Sequence, residues 1–185
     1  MRNLFVLGMV AIVTSAVGVG EELKSGPQTG DQLGAFYVTK CAGAEDDGVA
    51  EGKNLCYRCR NGAKPQVVVF TRSIDPKVVE FVKQLDQAIT KNADSKLTGF
   101  VNVLGEDQDD AADSAKKLAK NSKTINVPFV VPNESENGPD NYGINPKAEV
   151  TIILASELGV KANYAVANVK DLKTKEIIAD LKKIL

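Results

Sequence analysis

The residues best equipped for chemistry in this 185-residue chain are its three cysteines, Cys41, Cys56 and Cys59. Two of them form the run Cys56-Tyr57-Arg58-Cys59, a CxxC whose spacing allows a small disulfide ring. Lys53, Arg58, Arg60 and Lys64 surround it with positive charge, which favours a thiolate. In a redox reading Cys56 attacks, Cys59 resolves, and Arg58 and Arg60 stabilise the thiolate. In a structural reading one disulfide pins an irregular loop. The spacing leaves both open, along with the choice among three single bridges that includes Cys41. An odd thiol beside a disulfide is the arrangement exchange needs, which weighs toward the redox reading.

Composition removes other chemistries. The chain has no histidine, so a Ser-His-Asp triad, a Cys-His pair and an imidazole metal ligand are all excluded. Haem attachment to CxxC requires a histidine where Arg60 stands. A closed zinc site wants four N or S ligands, and no second CxxC is present. No cofactor and no metal is therefore expected. The acidic runs, Glu45-Asp46-Asp47 among them, lack the alternating oxygen ligands and fixed glycine of a calcium loop and are expected to be solvated turns. With 23 basic and 24 acidic residues and a formal net charge of -1, the chain offers no electrostatic case for nucleic acid or an anionic membrane surface.

These residues must be positioned by a fold, and the chain begins with an address. Arg2, an apolar run from Leu4 to Val13, and the small residues Thr14 to Gly18 have the three parts of a secretory signal peptide, expected over 1–19 with cleavage between Ala16 and Gly20. A flexible lead-in is expected over 20–33 and one domain over 34–185. The mature protein is expected to be exported, periplasmic or secreted, with no membrane attachment once the signal is removed and with disulfides able to persist. No sequence feature sets its oligomeric state.

Alternation predicts a strand over Ala35–Lys40, and the glycine-containing stretch Ala42–Lys64 is expected to be irregular. Pro65–Thr71 is a continuous β-branched run suited to a strand buried on both faces. Asp75-Pro76 then starts a helix whose apolar positions include Val78, Phe81, Val82, Leu85 and Ile89. A strand over Lys96–Leu104, an Ala-rich helix from Asp109 to about Lys120, and a buried strand over Val127–Val131 follow. After a polar loop, Glu149–Ala155 and Val160–Val166 pair as a hairpin, and an amphipathic helix over Asp171–Leu185 closes the chain. Parallel strands linked by helices, then a hairpin and a last helix, give an α/β sandwich: a central mixed sheet with flanking helices.

That order resembles the thioredoxin-like superfamily, in its peroxiredoxin and thiol-disulfide oxidoreductase branch. The likeness rests on Lys64–Phe70 leading into a helix, on Asn141-Tyr142-Gly143-Ile144 before a strand, and on the hairpin with its terminal helix. Leu55-Cys56-Tyr57-Arg58-Cys59-Arg60 is also similar to a motif of uncharacterised exported bacterial thioredoxin-like proteins. The resemblance implies thiol-disulfide exchange with protein thiols or disulfides as partners. It also implies a reactive Cys where this chain has Thr71-Arg72-Ser73-Ile74-Asp75-Pro76, and a cis-proline where Ala148-Glu149 precede the strand. A peroxidase role is disfavoured because that Cys position is empty. The function expected is exchange at a displaced CxxC; the alternative is a non-catalytic binding or structural module with a stapling disulfide.

Overall fold

The β-branched run Val67-Val68-Val69 lies at the middle of the structure because its strand is paired on both edges and covered on both faces. The computed structural model describes residues 23–185. The signal peptide expected over 1–19 lies outside them. Strand β3, Gln66–Thr71, pairs in parallel with β4, Thr98–Val103, and antiparallel with β6, Val150–Ser156. All six of its residues are buried. β5, Phe129–Pro132, adds in parallel beyond β4, and β7, Gly159–Val166, adds antiparallel to β6. On the far side β1, Val38–Ala42, pairs antiparallel with β5, and the two-residue β2, Asn54–Leu55, forms the edge. Among the described residues the sheet has seven strands, in the order β2-β1-β5-β4-β3-β6-β7.

The two faces of the sheet are covered differently. On the first lie α2, Pro76–Lys91, α3, Gln108–Ser122, and the short α4, Thr174–Ala179. Asp75 starts α2 as expected, its Oδ1 accepting the Lys77 amide at 2.8 Å, and Val78, Phe81, Val82 and Leu85 are buried against Val67, Val69 and Val101. Asp107 caps α3 by accepting the Asp110 amide at 2.9 Å, and Ala111, Ala115 and Leu118 face the sheet. The expected terminal helix is broken. Val169–Asp171 and Asp180–Lys183 are 3-10 turns on either side of α4, and Asp180 accepts hydrogen bonds from the Tyr164 hydroxyl and from Lys183 where the helix tightens.

Among the described residues, the second face carries no long helix. Val68, Phe70, Phe100, Val130 and Ile153 are covered instead by the N-terminal segment, the stretch after β1 and the loop before β6. The described part of the expected lead-in is pinned against this face, in contrast to the flexible segment anticipated over 20–33. Leu33 is 1% exposed, Ser25 Oγ lies 2.6 Å from Thr151 Oγ1, and Asn163 donates to the carbonyls of Ser25 and Pro27. Its composition is polar, but its polar groups are satisfied by β6 and β7.

The stretch 42–64 also holds more structure than its glycines suggest: β2 and the five-residue helix α1, Tyr57–Asn61. Gly43 makes the turn out of β1. Its φ is +76°, and a Cβ there would stand 2.4 Å from the Val127 carbonyl oxygen. At Gly52, φ +79°, a Cβ would meet nothing within 4 Å. Gly43→Ala is therefore expected to lose more than about 1 kcal/mol of stability, since strain and collision add. Gly52→Ala carries strain alone and should lose less; urea unfolding midpoints compare the two.

Candidate functional site

Helix α1 carries the CxxC across the second face, and it is held there by a charge that the sheet itself buries. Lys40 sits within β1 with its side chain among the second-face residues and is only 2% exposed. Its ammonium donates to the carbonyls of Ala44 at 2.9 Å and Val49 at 2.8 Å and to Asp47 Oδ1 at 2.8 Å. Three protons meet three acceptors, which offsets the cost of taking the charge out of water. The same Asp47 Oδ1 accepts the Val49 amide, and its other oxygen accepts the Tyr57 hydroxyl. The Tyr57 ring stacks on Phe100 with centroids 5.7 Å apart. β1, the loop and α1 are thus joined through one carboxylate.

Cys56 is the N-cap residue of α1, and a disulfide joins it to Cys59 with the Cα atoms 5.2 Å apart. The Cys59 amide donates to Cys56 Sγ at 3.1 Å. The two cysteines differ in exposure: Cys56 is 9% exposed, whereas Cys59 is an exposed residue. The two arginines expected to stabilise a thiolate have backbone partners. Arg58 donates to the Leu33 carbonyl and Arg60 to the Asp47 carbonyl, so both tie α1 to its surroundings.

Cys41 is not beside the pair. It faces the first side of the sheet, buried in the cluster under α3, and burial pushes its thiol above the usual range. The sheet separates it from α1, so the odd thiol does not supply the exchange partner that its count suggested.

The turn where the resemblance would put a reactive Cys holds none: it reads Thr71-Arg72-Ser73-Ile74-Asp75-Pro76. It leads from the end of β3 into α2 on the first face, while Tyr57 of α1 belongs to the cluster on the second. The turn is closed on itself: Thr71 Oγ1 donates to the Ser73 carbonyl and accepts the Ser73 amide, Ser73 Oγ accepts the Asp75 amide, and Asp75 caps α2. Among the described residues there is no cis peptide bond, no grouping of three or more Cys, Asp or Glu that could hold a metal ion, and no helix long and apolar enough to cross a membrane.

Sequence reasoning missed Lys40, and it missed the anchoring roles of Asp47 and Tyr57. Asp47 belongs to the acidic run expected to be a solvated turn; it is instead the counter-ion of a buried lysine. The available signal was Lys40 itself, which falls on an inward-facing position of a strand and so demands a nearby acceptor. A cleft of about 350 Å³ opens beside α1, lined by Tyr57, Arg60, Lys64, Leu97, Ile125 and Pro128 among others.

No family model matches this chain, and no curated protein does. Solved structures do. A putative protein disulfide isomerase from Bacteroides thetaiotaomicron is similar over 88% of this chain and 94% of its own, with TM-score 0.61 and 13% identity. Mycobacterium bovis AhpC matches over 84% and 91%, with TM-score 0.58 and 14% identity. A thiol-disulfide oxidoreductase from Bacteroides fragilis matches over 84% and 100%, with TM-score 0.56 and 18% identity. The chain therefore has the thioredoxin-like fold that its element order suggested.

Two outcomes follow from the buried groups. Lys40→Met leaves Asp47 and two carbonyls without their donor and should cost about 3–5 kcal/mol in urea unfolding. Adding Asp47→Asn should recover part of that loss, because no unpaired charge remains. Burial also raises the pKa of Tyr57, Tyr142 and Tyr164 above the ordinary value of 10.0, with the Asp47 hydrogen bond adding at Tyr57 and the Asp180 hydrogen bond at Tyr164. The folded state thus favours neutral phenols. Their contribution to stability is complete below pH about 10 and falls as the pH rises beyond it. The urea midpoint should be level from neutral pH to about 8, begin to fall near 9 as the unfolded state gains the Cys41 thiolate, and drop more steeply above 10, with phenolate absorbance growing as the protein unfolds.

Proposed function

We propose that this thioredoxin-like chain is an exported thiol-disulfide exchange protein whose working group is the Cys56–Cys59 pair, acting on protein thiols or disulfides. The observation that carries the reading is that the bridge closes a single helical turn while other contacts hold the loop. Cys56 and Cys59 are three positions apart and both belong to α1 or its cap. A ring that small constrains the unfolded chain by only about 2 kcal/mol, and it ties α1 to no other element. The anchoring of α1 is done by Asp47, Phe100 and the Leu33 carbonyl. A disulfide with little to staple and one exposed cysteine suits reversible exchange.

Two further features support the reading. Solved structures with this fold include one titled a thiol-disulfide oxidoreductase and one titled a putative protein disulfide isomerase. The expected signal peptide would deliver the chain to a compartment where disulfides form. The chemistry would differ from the usual site of the fold in having no contribution from the turn before α2 and none from histidine.

The test is equilibration of the protein in glutathione buffers, with thiol occupancy read by alkylation and mass spectrometry. The pair is expected to titrate between about -270 and -120 mV, the range of exchange proteins. A bridge that resists reduction to below about -300 mV would instead identify a permanent structural disulfide. The double variant Cys56→Ser/Cys59→Ser should lose any insulin-reducing activity, and Cys41→Ala should keep it.

A further inference from the structure

The geometry points to Cys59 as the sulfur that meets the partner and Cys56 as the sulfur that resolves, the reverse of the order expected from the sequence. This rests on the exchange reading above and assigns the order of bond changes within it. Access comes first. A thiolate attacks a disulfide by approaching one sulfur along the sulfur–sulfur axis, so the attacked atom must be open from outside. Cys59 is exposed, while Cys56 is 9% exposed at the cap of α1, next to the buried Tyr57. A folded protein partner can bring its thiol to Cys59 without disturbing α1. Cys56 is less open: it adjoins Tyr57, whose ring stacks on Phe100 and whose hydroxyl donates to Asp47.

The leaving sulfur agrees with this order. Attack on Cys59 expels Cys56, whose Sγ already accepts the Cys59 amide at 3.1 Å. A hydrogen bond to the charged form stabilises a departing thiolate. The alternative attack, on Cys56, would expel Cys59. Arg58 and Arg60 are engaged with backbone carbonyls on other elements.

The cycle balances without a cofactor. In the reduced protein the Cys59 thiolate, its proton released to solvent, attacks a partner disulfide. A bond forms between Cys59 Sγ and one partner sulfur, and the second partner sulfur leaves with the electron pair and takes up a proton. The Cys56 thiolate then attacks Cys59 Sγ. The internal bridge re-forms, and the first partner sulfur leaves and is protonated in turn. One partner disulfide is reduced to two thiols while one protein dithiol is oxidised. Run backwards, the same steps let a partner dithiol be oxidised, with Cys59 as the point of entry.

The order is tested by reactivity. The reduced chain is pulsed with iodoacetamide and its peptides are mapped. Cys59 should be alkylated about tenfold faster than Cys56, since exposure as well as thiolate fraction sets reactivity. In parallel, Cys56→Ser and Cys59→Ser are each mixed with dithiobis(nitrobenzoate). Cys56→Ser, which keeps Cys59, should release the chromophore about tenfold faster than Cys59→Ser. The buried Cys41 reports folding in both variants, because it should stay unlabelled until denaturant is added. Equal rates, or faster reaction at Cys56, would overturn the order while leaving the exchange reading intact if the wild-type pair still equilibrates with glutathione. A wild-type pair that does not equilibrate would remove the exchange reading and the order with it.

Discussion

A lysine ammonium with no access to water is the constraint from which the second face of this molecule is built. Lys40 lies on a central stretch of β1, and its charge is acceptable there only because a carboxylate and two carbonyls surround it. Those acceptors all come from residues 44–49, so the loop must curl back over the strand that it has just left. Once Asp47 is fixed, its second oxygen is available to the Tyr57 hydroxyl, and its carbonyl to Arg60. Tyr57 then brings α1 down on Phe100. One buried charge therefore determines where the loop goes, where the helix rests, and where the disulfide faces.

This arrangement explains how a dithiol can exist in this fold away from the turn that precedes α2. That turn leads into α2, and Thr71, Ser73 and Asp75 bond within it. Among the described residues the opposite face has no long helix, and the segment 43–61 is part of what covers it. Polar and aromatic contacts support α1 alongside the disulfide, which joins only residues of α1 and its cap.

Much of the fold was legible from the sequence, and the omissions have physical causes. Val67 to Phe70, the Asp75-Pro76 helix start and the Val150 hairpin carry strong period and capping signals, because each is long enough to bury a whole face. β2 has two residues and α1 has five, too few for a period to emerge or for local propensity to stabilise them alone. They exist through tertiary contacts with Val38, Asp47 and Phe100. The segment 23–33 looked free because it is polar, yet Asn163 and Thr151 satisfy it from strands more than a hundred residues away. The cysteines were legible as a CxxC, but their opposite exposure and the placing of Cys41 across the sheet depend on register. A single-residue irregularity between Lys40 and Ala42 in the β1–β5 pairing marks the place where the strand carries Cys41.

The central claim is that Lys40, Asp47 and Tyr57, and not the disulfide, hold α1 in place, so that the bridge is free to exchange. Amide hydrogen exchange across 43–61, compared between the oxidised and the reduced protein, addresses it most directly. Protection at Arg60 and Gly62, whose amides bond to Cys56 and to Arg58 and Cys59, should persist after reduction, as should that of Val49 on Asp47. Loss of protection throughout the segment when the bridge opens would contradict the account and make the disulfide the staple of the loop.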